Sequence, residues 1–266
     1  MDLELLKAEI RKVWGRPIFE LAVALVFFIS LNSVQTLFEI STFPRLQSEI
    51  SRLVAFSLIR ITGAQMLPLV LLCGILVSLS FARDYEQGQM QTLLSLPVSR
   101  TSLFTIKFVA VVLPLTLLSW ALTLLVLLLN YCSNAANSIV VQSAFWALPV
   151  TFLGVMFYAG LAAMIALALK RTIASVLTTV LAGFFVWFIS TLTPEMIGSI
   201  ADYLVFTPYK APIMTLERVF DVSFIHEPGL ETTVPQWGFF LLLIFYAVMF
   251  LVPTYLYFTK KFEVKE

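Results

Sequence analysis

RDYEQGQMQTLLSLPVSRTSLFTIK, residues Arg83 to Lys107, is a polar interruption between two long apolar runs, with acids, bases, one glycine and one proline in close order. Asp84 and Glu86 precede Gly88, and Met90, Leu93, Leu94 and Leu96 make a short amphipathic helix before Pro97 stops it. Ser99 then offers a cap to a new helix. The expected shape is a compact helix-turn-helix between two membrane spans, able to sit in a pocket of a soluble protein and push on both. A solvated loop whose charges only fix topology is the alternative, and composition does not separate the two.

The surroundings define the solvent. The chain of 266 residues is 60% hydrophobic and only 12% charged, with a mean hydropathy of +0.95. Soluble domains carry about a quarter charged residues, so this is an integral membrane protein. A net charge of +1 leaves no basic excess to neutralise phosphates, which excludes a nucleic-acid partner. Cys73 and Cys132 are the only cysteines, too few for a disulfide framework or a thiolate metal site.

Six stretches reach the roughly 20 apolar residues that span a bilayer: 18–37, 65–82, 103–129, 144–169, 173–192 and 237–258. Twelve of the 17 Lys and Arg residues then fall on the side of the N-terminus, and five (Arg45, Arg52, Arg60, Lys210 and Arg218) on the other. Because bases concentrate in the cytoplasm, both termini and the polar segment are expected there, in the plasma membrane. Lys170 and Arg171 leave only a very short turn between the fourth and fifth spans. Outside, residues 44–62 have a helical apolar face and are expected to lie along the outer leaflet or cap the bundle. Pro194, Pro208, Pro212, Pro228 and Pro235 divide the next outer segment, in which 197–206 and 213–220 read as short helices, either re-entrant or on the surface. At the N-terminus Leu3, Leu6, Ile10, Val13 and Trp14 share one helical face and Glu4, Lys7, Arg11 and Lys12 the other, as in a helix lying in the membrane interface. No small-residue cleavage site follows, so this helix is expected to stay in the mature protein. The fold class is an all-α membrane protein built as one transmembrane domain over 1–266.

Much chemistry is missing. There is no GxxxxGK[ST] loop for nucleotide phosphates, and His226, the one histidine, sits beside Glu227 in the outer Pro-rich segment. Within the spans the ionisable residues are few: Glu20 and Glu39 near the ends of the first, and Lys107 at the start of the third. Intramembrane proteases, proton-coupled carriers and redox enzymes need buried carboxylates, histidines or cofactor ligands at mid-depth. No catalytic residue, metal site or bound cofactor is therefore expected. Small polar side chains such as Ser78, Ser80, Thr116 and Thr179 suit helix packing, and the clustered phenylalanines suit lipid contact.

In the order Asp84, Glu86, Gly88, the run LLSLPVSR from Leu93 to Arg100, and Lys107, the segment resembles the stretch joining the second and third spans of ABC-2 type ABC transporter permeases. It departs where Gln89 and Met90 stand in place of a common Thr-Leu, and where the first acid is Asp. The resemblance implies a half-transporter: two permease chains, identical or related, pair in the membrane, and cytosolic ATPase subunits holding ATP and Mg dock on the N-terminal helix and on a coupling segment at 83–102. On that reading Asp84, Glu86, Gly88, Leu93, Leu94, Leu96, Pro97 and Arg100 meet the ATPase, helped by Lys7, Arg11 and Trp14 of the interfacial helix. Most such permeases export substrates or flip lipids. The competing function is a channel or scaffold without ATP coupling.

Overall fold

A computed structural model of the chain describes residues 2–15, 17–25, 28, 50–95, 98–132, 137–192, 196, 203–204, 206–220 and 236–261. All regular structure among these residues is helical. The helices are α1 (Asp2–Val13), α2 (Ile50–Val77), α3 (Arg83–Glu86), α4 (Gln89–Ser95), α5 (Arg100–Cys132), α6 (Asn137–Leu169), α7 (Thr172–Ser190), α8 (Lys210–Val219) and α9 (Gln236–Leu256). A π-helical turn, Ser78–Ala82, joins α2 to α3, and a second, Tyr257–Lys261, ends α9.

Five of these continuous stretches are long and apolar enough to cross a membrane: Ser57–Glu86, Arg100–Leu128, Val141–Leu169, Thr172–Ser190 and Trp237–Lys260. That is one fewer than expected, because most of the first span lies outside the described residues; residues 18–25 and 28 of it are helical. The turn between the fourth and fifth spans is as short as the sequence implies. Lys170 takes a left-handed φ of 56°, Arg171 is extended, and α7 starts at Thr172.

The outer amphipathic stretch requires a correction. Residues 50–62 form no separate helix on the leaflet but run unbroken into the second span as part of α2. Leu58 and Ile59 of this stretch are covered by protein, buried with Val150 of α6 and with Ala211 and Leu216 of α8. Gly63 lets Ile213 approach to the point where a Cβ would meet its side chain at 3.2 Å. Residues 44–49 lie outside the described set. Of the two short outer helices expected, the second is α8, beginning three residues earlier at Lys210; residues 203, 204 and 206 of the first make tight 3-10 turns.

Large side chains of α2 and α5 pack on a smooth face of α6. Leu72, Leu76, Phe104, Phe108 and Leu115 share a buried cluster with Ala159, Ala162, Ala163 and Ala166. Small residues let helix backbones approach closely where lipid removes the usual hydrophobic drive. The same device joins α2 to α7. The small side chains Ser175, Thr179 and Gly183 form the buried stripe of α7; Gly74 faces Thr179, and Gly183 faces Val70.

One end of the bundle gathers the segment 83–100, the 169–172 turn, α1 and the last turns of α9. There the two π-helical turns meet: the rings of Phe81 and Phe258 stand edge to face with centroids 6.1 Å apart, and both contact Phe104. Such turns are rare and concentrate where function distorts a helix.

Candidate functional site

Lys107 lies two turns into α5 and is 1% exposed. An unpaired ammonium at such a place is too costly to keep, so its partners define the site. It donates to Glu9 Oε1 at 3.0 Å, to the Ser80 carbonyl at 2.8 Å and to Asp84 Oδ2. Ser80 Oγ donates to the same Glu9 oxygen at 2.9 Å, and Lys12 pairs with the other Asp84 oxygen and lies 3.9 Å from Glu9 Oε2. Two acids and two lysines thus cancel in charge where α1, the first π-turn, α3 and α5 converge. In the π-turn the Arg83 N–H reaches back five residues to Ser78 O.

This network corrects two expectations. Asp84 is 0% exposed, so its carboxylate faces the bundle and not a soluble partner. The buried face of α1 is also rotated from the one the apolar periodicity marks: Leu3 is 63% exposed and Glu9 is buried, while Val13 stays inside as expected. The rotation brings Glu9 and Lys12 onto Lys107 and Asp84, an electrostatic gain that apolar periodicity does not register. Trp14 likewise turns inward, its indole N–H donating to the Ala110 carbonyl at 3.0 Å. Lys7 and Arg11 remain on the exposed side, Lys7 pairing with Glu4 at 3.0 Å. Glu9 escaped the sequence reading, although its spacing with Leu5 and Val13 puts an acid inside an i, i+4, i+8 row that is otherwise apolar.

Glu86 is exposed, yet it too is engaged within the chain. Its Oε2 accepts from the Thr172 N–H at 3.1 Å and from the Thr172 hydroxyl at 2.7 Å. The residue preceding α7, Arg171, provides no side-chain cap, so Glu86 supplies from another element the acceptor that a helix N-terminus lacks. Beside it, the Lys170 ammonium sits 4.4 Å from the centroid of the Tyr85 ring and 3.3 Å from its hydroxyl. Tyr85 and Glu86 together grip the 170–172 turn.

Gly88 takes φ 71°, the left-handed conformation that closes the 87–88 turn, and a Cβ there would have no neighbour within 4 Å. On α4, Met90 is fully buried, Leu93 and Leu94 pack partly against the main cluster, and Gln89, Gln91, Thr92 and Ser95 face outward. Leu96 and Pro97 lie outside the described residues. Ser99 caps α5 as expected, its Oγ accepting from the Ser102 N–H at 3.1 Å, and Arg100 is exposed at the first turn.

A family model described as "ABC-2 family transporter protein" matches residues 5–190, from α1 through the polar segment to the last residue of α7. The chain belongs to the ABC-2 transporter family. No curated protein matches it. As an ABC-2 family protein with five described apolar helices it is a multi-pass membrane protein and the transmembrane component of a transporter. Among the described residues no group of His, Cys, Asp and Glu is arranged to hold a metal ion.

Proposed function

We propose that this ABC-2 protein is the permease subunit of an ATP-driven transporter of the exporting kind, one transmembrane domain over 1–266 that works with a second permease chain. Residues 83–102 form the surface where a separate cytosolic ATPase, carrying the ATP and Mg, docks. The observation that carries this reading is the two-sidedness of the segment. Gln87, Gly88, Gln89, Gln91 and Thr92 present an open outer face, while Asp84 and Met90 are buried and Glu86 is bonded to the 170–172 turn. A push on that face therefore reaches α1, α2, α5 and α7 together, as a rigid-body transition between two packings requires.

The family resemblance assigns the ATPase contacts to Gly88, Leu93, Leu94, Leu96, Pro97 and Arg100; of these Gly88 and Arg100 are exposed and Leu93 and Leu94 half-buried, with Lys7 and Arg11 on the exposed side of α1. Asp84, Glu86 and Trp14 hold the segment and α1 to the bundle from within. This end of the molecule, rich in bases, faces the cytoplasm of the plasma membrane, with both termini. The unpartnered apolar row on α7, Ile173, Leu177, Leu181 and Phe188, supports pairing with a second chain. Affinity purification of the chain from its native membrane is the test. An ATP-hydrolysing subunit is expected in the eluate, and its absence would favour a channel or scaffold.

A further inference from the structure

The spans are not equally fixed. In the most apolar stretch of α7 only 17% is buried inside the chain, against 67% and 61% in the corresponding stretches of 57–86 and 141–169, and 22% in that of 237–260. Its buried residues are Ser175, Thr179, Gly183 and Ser190, so among the described residues α7 buries no large apolar side chain of its own, and Val70 of α2 fills the notch at Gly183. A smooth row of small side chains resists sliding far less than interdigitated leucines do. At one end α7 is joined to α6 by Lys170 and Arg171 alone. At the far end the Ser190 and Thr207 hydroxyls lie 2.8 Å apart. At the near end Glu86 bonds the first residue of α7 directly, with the Lys170–Tyr85 contact beside it on the preceding turn.

We infer that Glu86 is a positioning residue that makes the fifth span follow the polar segment. The inference rests on the permease reading, in which an ATPase displaces that segment. The mechanics follow from the geometry. Asp84 and Glu86 share the one-turn helix α3, which continues the second span without a break. The Lys107–Asp84 ion pair sets where α3 stands, and two residues on, Glu86 Oε2 takes both donors of Thr172. Lys170 against Tyr85 keeps the preceding turn in register. A displacement of α3 is thereby delivered to the first turn of a sparsely packed span, whose exposed apolar row then changes its facing. Thr172 Oγ1 and N–H are a matched pair of donors for one carboxylate oxygen, so an amide oxygen at position 86 retains part of the linkage and a methyl group none.

The experiment uses the full complex with its ATPase in nanodiscs and measures distances between spin labels. A label at exposed Val252 on α9 is the reference, paired either with Gln91 on α4 or with Ile173 on α7. In the wild type, nucleotide is expected to shift both distances. In Glu86→Ala the Gln91 distance still shifts and the Ile173 shift is lost; Glu86→Gln restores part of it. Thr172→Val, which keeps the N–H but loses the hydroxyl, reduces it and stands in should Glu86→Ala not fold. An unchanged Ile173 shift in Glu86→Ala and Thr172→Val overturns the inference, as does loss of the ATPase from the Glu86→Ala complex, which would make Glu86 a docking contact. If the Gln91 distance does not respond in the wild type, the permease reading itself fails and takes this inference with it.

Discussion

Lys107 and Asp84 form a buried ion pair across 23 positions of sequence, one at 1% and the other at 0% side-chain exposure. Placed between α5 and α3, the pair fixes the polar segment to two spans at once. Breaking a buried pair from one side leaves an uncompensated charge, which costs about 3–5 kcal/mol.

Lys107→Met should therefore lower stability by about that amount, because Asp84 and Glu9 are left with Lys12 alone. Adding Asp84→Asn restores charge balance and should recover part of the loss, since Glu9 and Lys12 remain as a pair. Thermal denaturation of the two purified variants in detergent decides it. A double variant less stable than the single would contradict the network.

Glu9→Ala should loosen α1 from the bundle, because it removes the acceptor shared by Lys107 and Ser80. Limited trypsin digestion should then cleave faster after Arg11. Lys7→Gln breaks only the exposed pair with Glu4 and should leave cleavage unchanged, as exposed pairs contribute little.

At Gly183 a Cβ would come within 2.1 Å of a Val70 methyl. Gly183→Ala should cost about 1–3 kcal/mol by overpacking, and Val70→Ala, which removes both methyls but keeps a Cβ 2.9 Å away, should relieve part of it in the double variant. Stability of the four proteins in a double-mutant cycle measures the coupling. Additive effects would mean that α7 does not lie against α2 as described.

Gly88 presents a different kind of constraint. With open space around it, Gly88→Ala meets only the cost of a left-handed backbone, about 1 kcal/mol, and Gly88→Asn less. Gly88→Trp should match Gly88→Ala in thermal stability yet fail in transport, because the added ring protrudes into the space that a docked partner fills. Equal transport by all three would remove any partner from that face.

The parts of this architecture that were legible in sequence depend on averages or on local chemistry. Spans announce themselves over some 20 residues of hydropathy, Lys170 and Arg171 mark a turn, and Ser99 is a cap three residues before the N–H it receives. The long-range parts were not legible. Residues 50–62 have the periodicity of an interfacial helix, and nothing local says that α8 and not lipid covers Leu58 and Ile59. The orientation of α1 depends on Glu9 finding Lys107 at a separation of 98 residues, although an acid in the row Leu5, Glu9, Val13 was a signal to be had. Asp84 and Glu86 look alike as paired acids before a glycine; only the fold turns one inward and bonds the other to α7.

The most direct test of the coupling role is a photo-crosslinking amino acid at Gln91, on the open face of α4, in the full chain in its native membrane. A nucleotide-binding protein should be captured on irradiation, and the same photo-crosslinker at Val252, exposed on α9, should capture none. Capture of no nucleotide-binding protein at Gln91 would contradict the account.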